Sequence, residues 1–225
     1  MHYFPVSIDL RDRKCLVAGA GEVGLRKIRR LIDAAPQEIL VVEPNPDSDL
    51  VALSRDQDNL RLERRVFRPE DLEDRFLVIA STGDDRVNRE ISRLCREGNI
   101  LCNIVDQPEL CSFIVPALFR RGELSFAVST GGASPALARS ARKRLQDCFG
   151  PEYASLTRLM GRLRPLILEL GLDGETNKAI FRSLCGDEVL GALQRENREE
   201  LERLLRNTLP GQLHSEIGTV LDELL

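Results

Sequence analysis

Apolar and polar positions alternate between two rhythms over the first half of the chain. Lys14-Cys15-Leu16-Val17-Ala18 is an apolar run of strand length, and Leu25, Ile28, Leu31 and Ile32 then recur at helical spacing. Glu38-Ile39-Leu40-Val41-Val42 is a second such run. It stops at Glu43-Pro44-Asn45-Pro46, where two prolines disfavour further helix or strand. The stretch from Leu60 to Phe67 partly alternates, as an outer strand with one wet face does. Phe76 to Ala80 and Ile100 to Val105 read as buried strands. Between them Asp84 and Asp85 can cap a helix whose apolar stripe is Val87, Ile91, Leu94 and Cys95. This cadence predicts an α/β, Rossmann-like parallel sheet with helices on both faces.

After Asp106-Gln107-Pro108 the pattern changes. Phe113 to Phe119 and Leu124 to Ser129 are strand-like runs joined by Arg120-Arg121-Gly122-Glu123, which predicts a hairpin. From residue 151 onward the pattern is helical, through Leu156, Leu159, Met160, Leu163, Leu166, Ile167 and Leu170 and later Leu201, Leu204 and Leu205. The expected organisation is therefore a sheet domain over 1–112, a central segment with a hairpin and helix over 113–150, and a small all-helical domain over 151–225.

Composition narrows this picture. At 225 residues, with 42% hydrophobic and 30% charged side chains, the chain can fill a core and is not expected to be disordered. No apolar run approaches the roughly 20 residues that span a bilayer, and the N-terminus lacks a secretory pattern, so no membrane role and a cytoplasmic location are expected. Six cysteines show no C-x-x-C spacing, which argues against a disulfide framework or a protein metal site. A net charge of −4 argues against nucleic-acid binding. Its distribution is uneven: residues 1–112 carry 17 basic and 21 acidic side chains, 113–150 carry 6 and 2, and 151–225 carry 9 and 13. The positive island comprises Arg120, Arg121, Arg139, Arg142, Lys143 and Arg144, and is either a solvated helix face or an attractor for a small polyanion.

Gly19-Ala20-Gly21-Glu22-Val23-Gly24 is a G-x-G-x-x-G turn between a predicted strand and a predicted helix. Gly19 permits the tight turn, Gly21 lets a pyrophosphate approach the backbone, and Gly24 lets helix and strand pack closely. Glu43 lies 24 residues after Gly19, near the spacing of about 20 expected for the acid that binds the adenosine ribose. A carboxylate there repels a 2′-phosphate, so NAD is favoured over NADP. Glu22, Val23 and Pro44 flank these positions, and Ser81 and Thr82 end another strand at the ligand-binding edge, as cofactor contacts, helix caps or both.

Asn103-Ile104-Val105-Asp106 places an amide and a carboxylate at the end of a further strand. Asp106 is the candidate for proton chemistry, its alternative being a turn-forming role before Pro108. Ser129-Thr130-Gly131-Gly132-Ala133-Ser134-Pro135 combines a hydroxyl and glycine loop with a helix start, Ser134 as N-cap and Pro135 in the first turn. With Arg139 one turn along, it can hold an acidic substrate or be simply a well-made cap.

Taken together, the glycine block, Cys102 to Asp106, Ser112-Phe113-Ile114-Val115-Pro116 and Val128 to Pro135 resemble the precorrin-2 dehydrogenases, including dehydrogenase-ferrochelatases and the N-terminal half of siroheme synthase. The resemblance covers essentially the whole chain. It implies an NAD-binding Rossmann domain, a central segment forming an intertwined homodimer, and a helical C-terminal domain. The implied reaction is NAD-dependent oxidation of precorrin-2, a polycarboxylate tetrapyrrole, to sirohydrochlorin. Asp106 matches the family's catalytic aspartate, which also serves iron insertion in bifunctional members. Thr130 falls where siroheme synthase has a serine that can be phosphorylated. Siroheme synthase carries a methyltransferase domain for which no length remains after residue 225, so methylation of uroporphyrinogen is not expected. A similar glycine turn, strand acid and Asp84-Asp85-Arg86-Val87-Asn88 helix start also occur in NAD-sensing modules of transport systems, the alternative reading.

Overall fold

A computed structural model describes residues 3–222 and residue 224. It divides into two compact units, one ending at Val115 and the other beginning at Pro116.

The first unit is the expected α/β sheet. Strand β1 (Lys14–Ala18) leads through the glycine turn into helix α1 (Glu22–Ile32), followed by β2 (Glu38–Val42), α2 (Ser48–Asp56), β3 (Leu60–Glu63), β4 (Leu77–Ala80), α3 (Asp85–Glu97) and β5 (Leu101–Ile104). All pairings are parallel, in the order β3-β2-β1-β4-β5. The sheet therefore grows one way from β1 through β2 to β3 and then the other way through β4 to β5. That leaves a topological switch point between β1 and β4, where open α/β sheets bind ligands beyond the strand ends. Cys15, Val17, Ile39, Val41 and Ile79 face one core with Leu25 and Ile28 of α1, while Leu16, Ala18, Leu40, Val78 and Ile104 face the other with Ile91 and Cys95 of α3. Burial on both faces explains why these strands are continuously apolar. Each fully buried Leu or Ile contributes about 1.5–3 kcal/mol.

Two details differ from expectation. Helix α2 was not anticipated after the paired prolines; Asp47 starts it by accepting the Leu50 N–H at 2.8 Å, and Leu50 is its buried residue. One fully buried side chain, with Leu53 partly buried against the same core, is too weak a stripe to stand out in the sequence. Strand β3 ends at Glu63 rather than Phe67, because Arg65 turns away to ion-pair with the buried Asp71, which also accepts the Arg68 N–H.

The second unit starts with the antiparallel hairpin β6 (Ala117–Arg121) and β7 (Leu124–Val128). The first strand begins four residues later than expected, since Pro116 has no N–H to donate and the Phe113 carbonyl is engaged by the Asn103 amide. Helix α4 (Pro135–Cys148) follows, then α5 (Glu152–Glu169), α6 (Gly174–Leu184), α7 (Asp187–Gln194), α8 (Arg198–Thr208) and α9 (Ile217–Asp222). Leu159, Leu163, Ile167, Leu184, Leu201, Leu205 and Ile217 form the helical core. Phe126 stacks on Phe119 and tilts against Phe149, tying the hairpin to the end of α4. No helix among the described residues is long and apolar enough to cross a membrane.

The glycine turn is the tightest packing point of the first unit. Gly19 has φ +82, and a Cβ there would lie 2.7 Å from the Ser81 backbone; a Cβ on Gly24 would lie 2.5 Å from the Gly19 carbonyl oxygen and 2.6 Å from Ser81 Oγ. Alanine in a helix is favoured over glycine by about 1 kcal/mol, but overpacking against backbone costs about 1–3 kcal/mol. Gly24→Ala is therefore expected to destabilise the chain, measured as a lower midpoint of urea unfolding. An unchanged or higher midpoint would show that the junction relaxes freely.

Candidate functional site

The residues singled out at the glycine turn converge. Ser81 Oγ donates to the Gly19 carbonyl at 2.7 Å, the Gly19 N–H donates to Val42 O at 3.0 Å, and the Ser81 N–H to Ala18 O at 2.8 Å. The Ser81 hydroxyl thus shapes the turn from within. Glu43 clamps it from the other side: Oε2 accepts the Ala20 N–H at 2.8 Å and Oε1 the Asn45 N–H at 2.9 Å. A carboxylate has about four lone-pair positions, so Glu43 keeps acceptor capacity for sugar hydroxyls.

Gly21 is different from its two neighbours in the motif. It is exposed, it is the N-cap of α1 with no side-chain cap, and a Cβ there would meet nothing within 4 Å. The first turn of α1 therefore presents backbone N–H groups beside open space, the arrangement that receives a phosphate. Glu22 is exposed and Val23 half-buried on that turn, and Pro44 is exposed beyond Glu43. Filled space at Gly19 and Gly24, open space at Gly21 and an acid with spare lone pairs fit a dinucleotide. Thr82 hydrogen-bonds Asn88 Oδ1 at 2.7 Å, and Asp84 caps α3 by accepting the Arg86 N–H, so the Thr82 hydroxyl supports the start of that helix.

Beyond β5 the chain turns sharply. Asp106 is exposed and adopts φ +60, a left-handed conformation that aspartate tolerates better than most residues. Cys111 holds the turn: its thiol accepts the Ile104 N–H at 3.1 Å and contacts the Ile104 and Gln107 carbonyls at 3.2 and 3.3 Å, and burial pushes its pKa up. Asn103 is buried, and its Nδ2 donates to Phe113 O at 3.1 Å. The Lys27 ammonium lies 3.5 Å from Asn103 Oδ1. Gln107 Nε2 donates to Asp85, while its Oε1 is buried without a donor among the described residues. Sequence reasoning missed Lys27, Cys111 and Gln107; the one available signal was a lysine inside the apolar stripe of α1.

Because the strands are parallel, Gly19, Glu43, Ser81 and Asp106 all follow strand C-terminal ends and share one edge of the sheet. Ser129, Thr130, Gly131, Gly132, Ser134 and Arg139 belong to the other unit. There the loop is built by its own hydroxyls: Thr130 Oγ1 accepts the Ser134 N–H at 2.9 Å, Ser129 Oγ the Gly131 N–H at 3.1 Å, and Ser134 Oγ the Leu137 N–H at 3.2 Å. Gly131 and Gly132 have positive φ and open space where a Cβ would stand, and Arg139 is exposed. The basic island is not uniformly available. Arg121 is spent on the Phe149 and Gln146 carbonyls at the end of α4, and Arg142 on Gln146.

Comparison with known proteins accords with this arrangement. Residues 6–117 match a family model of NAD(P)-binding domains, and residues 121–147 match the central region of sirohaem biosynthesis proteins. Siroheme synthase of Methylobacillus flagellatus is 35% identical over 218 residues, covering 95% of this chain and 46% of that protein. Siroheme synthase of Thioalkalivibrio sulfidiphilus is 38% identical over 213 residues, covering 93% and 43%. The chain spans less than half the length of these curated relatives. Among solved structures, SirC, a precorrin-2 dehydrogenase, superposes with a TM-score of 0.74 at 26% identity, covering 91% of this chain and all of that one. The central match and the whole-chain likeness disfavour a transport-system sensing module. With an NAD(P)-binding match over 6–117, a sirohaem-biosynthesis match over 121–147 and likeness along nearly the whole chain, the chain belongs to the family of siroheme synthase and precorrin-2 dehydrogenase.

Proposed function

We propose that this chain oxidises precorrin-2 to sirohydrochlorin with NAD, on the route to siroheme and as a cytoplasmic enzyme. The observation that carries this reading is a clamped glycine turn, open only at Gly21, on the same sheet edge as Asp106. Bound NAD supplies the hydride acceptor. The α1 N-terminus holds the pyrophosphate between Gly21, Glu22 and Val23; Glu43, beside Pro44, accepts the ribose hydroxyls. Ser81 and Thr82 keep the floor of the switch point in place through their internal hydrogen bonds.

Loss of hydride from a reduced macrocycle carbon must be accompanied by loss of a proton, and Asp106 accepts it directly or through water. The left-handed turn and the Cys111 thiol hold that carboxylate beyond the strand end. Asn103 orients the substrate. The 129–134 loop and Arg139 take substrate carboxylates, which the exposed glycines and the uncompensated charge of 113–150 support. In this reading 1–112 binds NAD, 113–150 mediates homodimer formation and substrate binding, and 151–225 is a separate helical part.

Three measurements test it. Anaerobic addition of precorrin-2 to the protein with NAD is expected to raise NADH absorbance, and Asp106→Ala to slow that signal by about a hundredfold or more with NAD affinity unchanged. No NADH from folded, NAD-binding protein would refute the activity, and near-normal turnover in Asp106→Ala would remove that residue from it. Gly21→Val is expected to weaken NAD binding at least about tenfold, by occluding the phosphate approach, while its unfolding midpoint stays within about 1 kcal/mol of the parent. Glu43→Ala should narrow the preference for NAD over NADP; unchanged discrimination would mean that another group reads the ribose.

A further inference from the structure

Lys27 lies in the second turn of α1, half-buried, on a helix whose Gly24, Leu25, Ile28 and Leu31 pack against the sheet. Its ammonium has three N–H donors, and the hydrogen bond found for it is the long 3.5 Å contact to Asn103 Oδ1. The Asn103 amide is not free to turn away, because its Nδ2 is fixed on Phe113 O at 3.1 Å and the side chain is 7% exposed. The charged and titratable groups acting on the ammonium are Arg26 and Arg30 on its own helix, Cys111 on the returning segment and Asp106 beyond β5. Burial is the largest influence and pushes the Lys27 pKa down; Arg30 and Arg26 push the same way, and Cys111 and Asp106 oppose them.

An ammonium in this position is poorly solvated and has no dedicated carboxylate partner among the described residues, and methionine or leucine would fill the same volume without the desolvation cost. The placement is explained by what the charge does to its neighbours. We propose that Lys27 is a positioning residue for the oxidation: its ammonium links the Asn103 amide and the Asp106 side chain into one array at the end of β5. The inference rests on the functional reading above, in which Asp106 takes the substrate proton. It adds a residue from α1 to a site otherwise formed by strand ends and loops. Lys27 acts through Asn103 and Asp106 and touches neither hydride donor nor acceptor in this assignment.

The test uses the full chain with Lys27→Met and Lys27→Arg. Lys27→Met is expected to lower kcat at least about tenfold, with NAD affinity unchanged and the unfolding midpoint equal or higher, and Lys27→Arg to restore most of it. Because burial lowers the Lys27 pKa, parent activity should fall on the alkaline side below the ordinary lysine range as the ammonium loses its proton. Arginine keeps its charge there, so that fall should disappear in Lys27→Arg. Parent-like turnover and pH profile in Lys27→Met overturn the inference, as does a loss that arginine does not rescue. A second arm does not need turnover: the titration of Lys27 Nζ, followed by NMR, should shift to lower pH in Asp106→Asn, since the carboxylate opposes the lowering. An unchanged midpoint breaks the link between the two residues, whatever the kinetics. A parent chain that forms no NADH from precorrin-2 removes the functional reading and the catalytic role of Lys27 with it, while a shifted midpoint identifies that failure as one of function.

Discussion

Backbone meets backbone where β1, α1 and β4 come together, and the rest of the first unit is arranged around that contact. The Gly24 Cα stands so close to the Gly19 carbonyl that no side chain fits, and Ser81 Oγ closes the junction with a 2.7 Å hydrogen bond to the same oxygen. Drawing the helix onto the sheet at this point aims its first turn at the gap between β1 and β4. Filled and open space are thereby separated within six residues: a side chain at Gly19 or Gly24 would meet backbone, whereas one at Gly21 would meet nothing within 4 Å.

Glu43 works on the same junction from β2. Its carboxylate accepts two backbone N–H groups, one from the turn and one from its own loop. The proposed reading of a ribose by this carboxylate would need it held against thermal motion, and these bonds provide that restraint. Loss of Glu43 therefore removes two hydrogen bonds that shape the turn, whatever else its carboxylate does.

At the other side of the switch point the device is different. Strand β5 is an edge strand, and the chain returns along it so that the Ser112 N–H donates to Cys102 O and the Cys102 N–H to Ser112 Oγ. This return covers the edge, brings Cys111 under the Asp106 turn and sets Phe113 O against the Asn103 amide. Covering an edge strand is a general need. Here it also fixes the Asn103 amide and the backbone turn that carries Asp106.

In the second unit, charge counted along the chain overstated what is available to a ligand. Arg121 caps α4 and Arg142 pairs within it, whereas Arg120, Arg139, Lys143 and Arg144 remain exposed. The 129–134 loop is likewise held by its own hydroxyls, with Thr130 taking the Ser134 N–H. A threonine there serves the loop as well as a serine would.

Much of the fold was legible without coordinates because it depends on short-range regularity. Strand-length apolar runs, a 3.6-residue period and a glycine turn between them were enough for all five parallel strands, helices α1 and α3 and the Ser134 cap. The differences have local causes: α2 buries only Leu50 fully, with Leu53 partly buried beside it, and β3 stops where Arg65 leaves for Asp71. The internal bonds of the site were another matter. Lys27 and Asn103 are 76 positions apart, Ser81 and Gly19 are 62 apart, and neither pairing has a period or spacing that marks it. Hydrophobic pattern specifies which face of an element turns inward, but not which polar group it will meet there. That is decided only when the order of strands in the sheet places particular side chains within hydrogen-bonding distance.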